Sequence, residues 1–122
     1  MKEKESSAAK CPLRHLGEVF GGKWKLPILC ILTEHGPKRY SAIKRGLAGV
    51  TNVMLTQSLR ELEEHGLVRR TQYNEVPPRV EYSLTEKGRS TLPFLTAAAQ
   101  WAIEDLKSAD REKLCDECVA KE

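Results

Sequence analysis

One helix in the middle of the chain limits the possible folds more than any other feature. Residues 51–67 (TNVMLTQSLRELEEHGL) contain an apolar stripe at helical spacing, with Thr51 or Asn52 as the expected N-cap and Gly66 as the left-handed residue that ends the helix. The stripe consists of Leu55, Leu59 and Leu62. Because a helix with one apolar stripe must bury that stripe against other elements, the segment predicts a packed domain.

The remaining surface of this helix is polar at its amino-terminal end and acidic only towards its other end. The first group is Asn52, Val53, Thr56, Gln57 and Arg60, and the acidic group is Glu61, Glu63 and Glu64. A helix that enters the DNA major groove needs donors and acceptors in its first turns and keeps carboxylates away from phosphate. The pattern predicts a recognition helix, and a surface helix with a merely solvated polar face is the alternative for this segment alone.

Further helices are expected before this segment. Apolar residues recur at helical spacing from Leu13 to Phe20, from Trp24 to the Gly36-Pro37 break, and from Tyr40 to Leu47. Pro27 is tolerated in the second of these helices because it falls in the first turn, where backbone N–H groups have no helical partner.

Two β-prone runs and a long helix follow. Residues 67–72 (LVRRTQ) and 80–84 (VEYSL) alternate apolar and polar side chains around the turn YNEVPPR, which predicts a hairpin that projects as a wing. Its inward-facing residues are expected to be Val80, Tyr82 and Leu84. Thr85 is the predicted N-cap of the next helix, which Pro93 kinks or divides and which continues to Leu106.

Positive charge is concentrated in the same central segment. Residues 38–80 carry eight Lys or Arg against four Glu, whereas residues 81–122 carry six positive and nine negative residues. This is the distribution expected of a protein that neutralises phosphates. The segment 1–10 (MKEKESSAAK) contains no hydrophobic signal sequence, and no run of 18 apolar residues occurs, so a cytoplasmic protein is expected rather than a secreted or membrane protein.

The order of elements predicts a mainly α fold with a small β-hairpin (α+β), the winged form of the helix-turn-helix. A short helix, a Gly-containing turn and a polar-ended helix are followed directly by a basic hairpin. We expect a disordered N-terminus over residues 1–10, the winged helix-turn-helix domain over residues 11–107, and a C-terminal tail over residues 108–122.

The sequence also resembles the HxlR-type regulators within the MarR-like group. The resemblance lies in GGKWKLPIL (21–29), MLTQSLRELEEHGLVRR (54–70) and VPPRVEYSLTEKGR (76–89), and extends over about residues 11–106. It implies a bacterial or archaeal transcriptional regulator that binds double-stranded DNA as a homodimer through its first and last helices. An interface of this kind would cover Leu13, Leu16, Phe20, Leu92, Leu95, Trp101 and Leu106, some of which close the core of the chain instead.

The candidate DNA contacts divide by role. Base edges or nearby phosphates are assigned to Asn52, Val53, Thr56, Gln57 and Arg60. The wing contributes Arg79 first and Arg70 and Tyr73 second, to the backbone or the minor groove. Phosphate contacts near the start of the preceding helix are assigned to Lys38, Ser41 and Lys44, which position the protein without reading sequence.

The cysteines suggest a sensor more than a metal site. Cys11 resembles the thiol that redox-sensing HxlR-type proteins use, and a helix N-terminus with Lys10 and Arg14 nearby favours its thiolate; an unreactive thiol is the alternative. Cys30 is expected to be a buried small hydrophobe. Cys115 and Cys118 form a CxxC without the further ligands of a zinc site, which leaves a redox pair or a tail without function.

Other functional classes are less well supported. A winged-helix protein-interaction module keeps the fold, but the basic wing and the Asn/Thr/Gln/Arg face argue against it. Catalysis has no basis in paired carboxylates, a nucleophile elbow or a phosphate loop, so neither an enzyme nor a cofactor is expected. The sequence does not identify the operator or a small-molecule effector.

Overall fold

The computed structural model describes residues 11–34 and 36–108, which form helices around a small antiparallel sheet. In chain order the elements are α1 (Pro12–Phe20), α2 (Lys25–Leu32), β1 (Lys38–Arg39), α3 (Tyr40–Arg45), α4 (Asn52–Glu64), β2 (Val68–Tyr73), β3 (Arg79–Leu84), α5 (Glu86–Arg89) and α6 (Leu92–Ser108). The predicted disordered residues 1–10 and most of the predicted tail, with Cys115 and Cys118, lie outside the described residues.

Helix α4 begins and ends where the sequence predicts. The N-cap is Thr51 rather than Asn52, and its hydroxyl accepts a hydrogen bond of 3.1 Å from the backbone N–H of Met54. The helix ends at Glu64, and Gly66 follows with φ of 78°, a backbone conformation that favours glycine. These two local signals set the length of the helix independently of the rest of the fold.

The core forms where the apolar stripe of α4 meets α2 and α3. Leu55, Leu59 and Leu62 are 0%, 1% and 0% exposed, as the sequence pattern requires. They share one cluster with Ile28 and Leu29 of α2, Ile43 of α3 and Tyr82 and Leu84 of β3. Each fully buried aliphatic side chain contributes about 1.5–3 kcal/mol, so this stripe fixes which face of α4 points to solvent.

The sheet has three strands in the order β1-β3-β2, one more than the predicted hairpin. The hairpin itself is confirmed, with Val68 opposite Leu84 and Tyr73 opposite Arg79. The additional strand is β1, whose Lys38 lies opposite Tyr82. A two-residue strand has no periodicity for a sequence pattern to detect. Lys38 therefore lies on this strand, directly before the start of α3.

Thr85 joins the end of α4 to the start of α5. Its hydroxyl accepts the N–H of Gly88 at 2.9 Å, which confirms it as an N-cap, and donates to the carbonyl of Gly66 at 2.5 Å. Lys87 adds a hydrogen bond of 2.7 Å from its Nζ to the carbonyl of His65. The start of β2 and the end of β3 are consequently both held beside the carboxyl-terminal end of α4.

The carboxyl-terminal helical segment is divided, and its longer part packs on α1. Helix α5 ends at Arg89 and α6 begins at Leu92, which places Pro93 in the first turn of a new helix. Phe20 is 9% exposed, and its ring centroid lies 5.2 Å from that of Phe94. Phe20 therefore belongs to the core of the chain itself, the alternative that the sequence analysis left open for some of the predicted interface residues.

The two faces of α4 should respond differently to truncation. Leu59→Ala removes a side chain that is 1% exposed and should lower the free energy of unfolding by about 2–5 kcal/mol. Val53→Ala, on the same helix but 75% exposed, should change it by less than about 0.5 kcal/mol. Urea denaturation of both variants at one protein concentration tests this, and similar losses would contradict the assignment of the faces.

Candidate nucleic-acid interface

The solvent-facing side of α4 is a continuous polar surface. Because the leucine stripe occupies the inner face, the residues between its members point outwards. All five predicted contact residues of this helix are exposed: Asn52, Val53, Thr56, Gln57 and Arg60. Together with Glu61 and Glu64 they line one open surface groove. The structure thus brings together the complete set of α4 residues that the sequence singled out, and we name this set the reading face.

The amino-terminal end of the reading face is held by Tyr40, the first residue of α3. The Tyr40 hydroxyl lies 3.2 Å from the backbone carbonyl oxygen of Asn52, 3.1 Å from Asn52 Oδ1 and 3.3 Å from Thr56 Oγ1. Its ring packs against the core cluster and is half-buried. The burial of the ring agrees with the apolar spacing from Tyr40 to Leu47, whereas the contacts of the hydroxyl with α4 were not predicted from the sequence.

The centre of the reading face is held by a buried lysine. Lys25 of α2 is 6% exposed, and its Nζ lies 2.7 Å from Glu61 Oε1. The other oxygen, Glu61 Oε2, accepts a hydrogen bond of 3.2 Å from Gln57 Nε2. The hydrogen bonds from Lys25 and then from Gln57 hold the pKa of Glu61 below its ordinary value. Gln57 is therefore oriented by α2 through Glu61, although the sequence singled out only Gln57.

The hairpin separates its arginines by face. Arg70 is exposed and lies opposite Tyr82, whereas Arg79 lies opposite Tyr73 on the other face. Arg79 Nη2 is 3.1 Å from Glu75 Oε2, and its Nε is 3.7 Å from Glu81 Oε2. The Arg79 guanidinium also lies over the Tyr73 ring, at 4.2 Å from the centroid. Two carboxylates thus offset the charge of Arg79, which leaves Arg70 as the more accessible of the two predicted wing cations.

The predicted phosphate contacts surround the junction of β1 and α3. Lys38 is half-buried on β1, Ser41 is exposed in the first turn of α3, and Lys44 is half-buried in its last turn. Pairing of Lys38 with Tyr82 joins this segment to the hairpin. These three residues and the wing are therefore connected through the sheet.

The predicted interface residues on α1 and α6 are unequally exposed. Leu13 is 73% exposed and Trp101 is 70% exposed. Leu16 and Leu95 are partly buried against the core, and Leu92 and Leu106 are half-buried. Among the predicted interface residues, Leu13 on α1 and Trp101 on α6 are thus the two that the described part of the chain leaves exposed.

The two described cysteines differ in environment. Cys11 is exposed at the N-cap position of α1, where the backbone N–H groups of Arg14 and Leu13 lower the pKa of its thiol. Cys30 is half-buried on α2, which partly confirms the expectation of a buried residue. Within residues 11–34 and 36–108, His, Cys, Asp and Glu form no group that could hold a metal ion, and no helix there is long and apolar enough to span a membrane.

This arrangement defines a winged helix-turn-helix DNA-binding domain, in which α3 and α4 form the helix-turn-helix and β2 and β3 form the wing. The polar outer face of α4 and the hairpin follow one another in the order this class requires. The element order and the sheet confirm the predicted fold.

The chain belongs to the HxlR-like helix-turn-helix family, whose sequence pattern matches residues 19–110. It is similar to the HTH-type transcriptional regulator YtcD of Bacillus subtilis, with 55% identity over 89 residues, 73% of this chain and 70% of YtcD. The redox regulator HypR is similar in its reduced form (TM-score 0.77, 38% identity, 82% of this chain and 98% of HypR) and its oxidised form (0.73, 41%, 77% and 96%). The chain is a DNA-binding transcriptional regulator, as the sequence analysis expected.

The Lys25–Glu61 contact should make stability depend on pH. Its partners favour the carboxylate, so the folded-state pKa of Glu61 lies below the unfolded-state value, and the stabilisation is lost as pH falls through the folded-state pKa. Glu61→Gln should therefore lower the free energy of unfolding at pH 7, and the difference from the wild type should shrink below the ordinary carboxyl pKa of 4.5.

Urea denaturation between pH 3 and pH 7 measures this difference. Glu64→Gln is the matched control, because it removes the same charge from an exposed position of α4. A difference between wild type and Glu61→Gln that stays constant with pH would contradict the role given to the ionised pair.

Proposed function

We propose that the protein binds a roughly two-fold-symmetric DNA site as a homodimer and inserts the reading face of each α4 into a major groove. The observation that carries this proposal is the polarity of α4. Its inner stripe is fully buried, while its outer face offers amide, hydroxyl and guanidinium groups to solvent. The major groove of DNA is wide enough to admit a helix held in this way, whose outer groups can then form hydrogen bonds with base edges.

Base recognition is assigned to the amides of Asn52 and Gln57 and to Arg60. Asn and Gln pair with adenine, and Arg pairs with guanine through O6 and N7. Thr56 and Val53 lie between them and reach base edges, including the thymine methyl group. No glutamate occupies the first two turns of α4, so these turns approach the DNA without carboxylate–phosphate repulsion.

The surrounding cations position the domain on the phosphate backbone. From the wing, Arg70 is the leading candidate because it is exposed and Arg79 is bound to carboxylates. Lys38, Ser41 and Lys44 approach the backbone from β1 and α3. Such contacts supply affinity and salt dependence but carry no sequence information.

Dimerisation is assigned to the apolar surface of α1 and α6 around Leu13 and Trp101. A two-fold axis through this surface would repeat the reading face on one side of the dimer and match half-sites roughly 34–36 Å apart. Light scattering for mass and footprinting of a bound duplex test the two statements separately. A monomer, or half-sites at another spacing, would contradict this part of the proposal.

Salt dependence separates DNA binding from the alternative of a protein-interaction module. The logarithm of the affinity for duplex DNA should fall steeply and linearly with the logarithm of the salt concentration. The reason is that Lys and Arg side chains that contact phosphates release the counterions of the DNA. A chain that uses the same surface for a protein partner would bind no duplex at low salt.

Three arginine variants separate the roles of the contacts. Arg60→Ala should cost about 1–3 kcal/mol on the preferred site and relax the preference at one base pair. Arg70→Ala should weaken preferred and random duplexes alike and lower the salt slope by about 1. Arg79→Ala should change the slope less, because Glu75 and Glu81 already offset its charge. Fluorescence anisotropy on both duplexes at several salt concentrations checks this, and equal effects of all three changes would refute the division.

A second function, response to oxidants or electrophiles, is favoured by Cys11. We propose that its thiolate is the reacting group, since the thiol is exposed and its pKa is lowered by backbone N–H groups at the start of α1. An electrophile forms a carbon–sulfur bond with it directly. An oxidant such as diamide accepts two electrons and two protons from Cys11 and a second thiol as their disulfide forms. Because Cys11 adjoins the helix assigned to dimerisation, either product would change how two reading faces are spaced.

Thiol alkylation and DNA binding test this role together. At pH 7, iodoacetamide should modify Cys11 about tenfold or more faster than Cys30, as peptide mass analysis would show. Diamide should weaken DNA binding by the wild type and by Cys30→Ser, but not by Cys11→Ser. Loss of binding in Cys11→Ser under diamide would exclude Cys11 as the sensing thiol.

A further inference from the structure

The hydroxyl of Tyr40 lies at a meeting point of three polar atoms of α4. The backbone oxygen of Asn52, its Oδ1 and Thr56 Oγ1 are all within 3.1–3.3 Å of it. Asn52 and Thr56 lie one helical turn apart on the reading face, and both side chains are exposed. A single group from a neighbouring helix therefore contacts two of the predicted base-reading residues at once.

The position of Tyr40 is fixed from behind. Its ring packs against the core cluster, and it directly follows β1, which pairs with β3 through Lys38 and Arg39. Helix α4 is in turn held in place by the Thr51 cap and by its buried leucine stripe. The hydroxyl and the side chain of Asn52 therefore meet across two elements that have little freedom to move apart.

The geometry of the contact gives the orientation of the Asn52 amide. The Tyr40 hydroxyl donates to Asn52 Oδ1 at 3.1 Å, so the amide oxygen is the side-chain atom of Asn52 that accepts. With Oδ1 directed to Tyr40, the amide NH2 points away from the Tyr40 hydroxyl, and the side chain as a whole is exposed to solvent. In a groove from which water is expelled, losing this contact would cost more than it does in solvent.

We propose that Tyr40 is a positioning residue for base recognition, which orients Asn52 so that its amide NH2 faces a base bearing a hydrogen-bond acceptor. The inference rests on the proposed entry of α4 into the major groove. Acceptors at the major-groove edge are N7 and O6 of guanine, N7 of adenine and O4 of thymine, whereas cytosine presents a donor there. The base that faces Asn52 is thus a purine or thymine, and cytosine is disfavoured.

Selection from a randomised duplex pool, followed by affinity measurements, tests the role of Tyr40 with the full chain. Tyr40→Phe keeps the ring and removes the hydroxyl. It should reduce discrimination against cytosine at one position of the selected site by about 5- to 20-fold, with binding to random duplex unchanged within about twofold. Tyr82→Phe is the matched control, because it removes a hydroxyl from a buried position on β3 and should leave the selected site unchanged.

A double-mutant cycle shows whether Tyr40 acts through Asn52. In the Asn52→Ala background, Tyr40→Phe should cause no further loss of discrimination at that position. A Tyr40→Phe protein with wild-type preference, or one that loses preferred and random duplex equally because the hydroxyl contacts phosphate, would overturn the inference. These outcomes leave the proposed function intact. Failure of the wild type to enrich any sequence would overturn the proposed function, and the inference with it.

Discussion

The burial of three leucines on α4 is the constraint on which the rest of the structure depends. Leu55, Leu59 and Leu62 are almost completely enclosed by α2, α3 and β3. Since side chains on a helix recur every 3.6 residues, burying this stripe determines which side chains face solvent. Rotating α4 about its axis would bury Gln57 or Arg60 without partners and expose leucine, so the reading face has one stable orientation.

Polar contacts from neighbouring elements then refine this orientation. The Lys25–Glu61 ion pair connects α2 to α4 and continues to Gln57, while Tyr40 connects α3 to Asn52. Exposed asparagine and glutamine side chains ordinarily turn freely, and each fixed rotamer reduces the entropy that binding has to overcome. These contacts thus give the amides of Gln57 and Asn52 a defined orientation before any DNA is bound.

Much of the fold could be predicted because its signals are local. The Thr51 and Thr85 caps, the Gly66 stop and the alternating pattern of the hairpin each depend on a few adjacent residues. Strand β1 and the packing of Phe20 on Phe94 could not be predicted, since both arise between segments distant in sequence. The same reason explains why Lys25, a single charge in an apolar helix, gave no advance signal of its ion pair with Glu61.

The sequence by itself determined the class of fold, the extent of the central helix and the composition of its outer face, because helical periodicity and capping are properties of a short stretch of chain. Only the tertiary structure decided how those side chains are presented. Hydrogen bonds and ion pairs form between atoms that the fold brings within about 3 Å, and residues such as Tyr40 and Asn52 meet only after sheet pairing and core packing have placed their helices side by side.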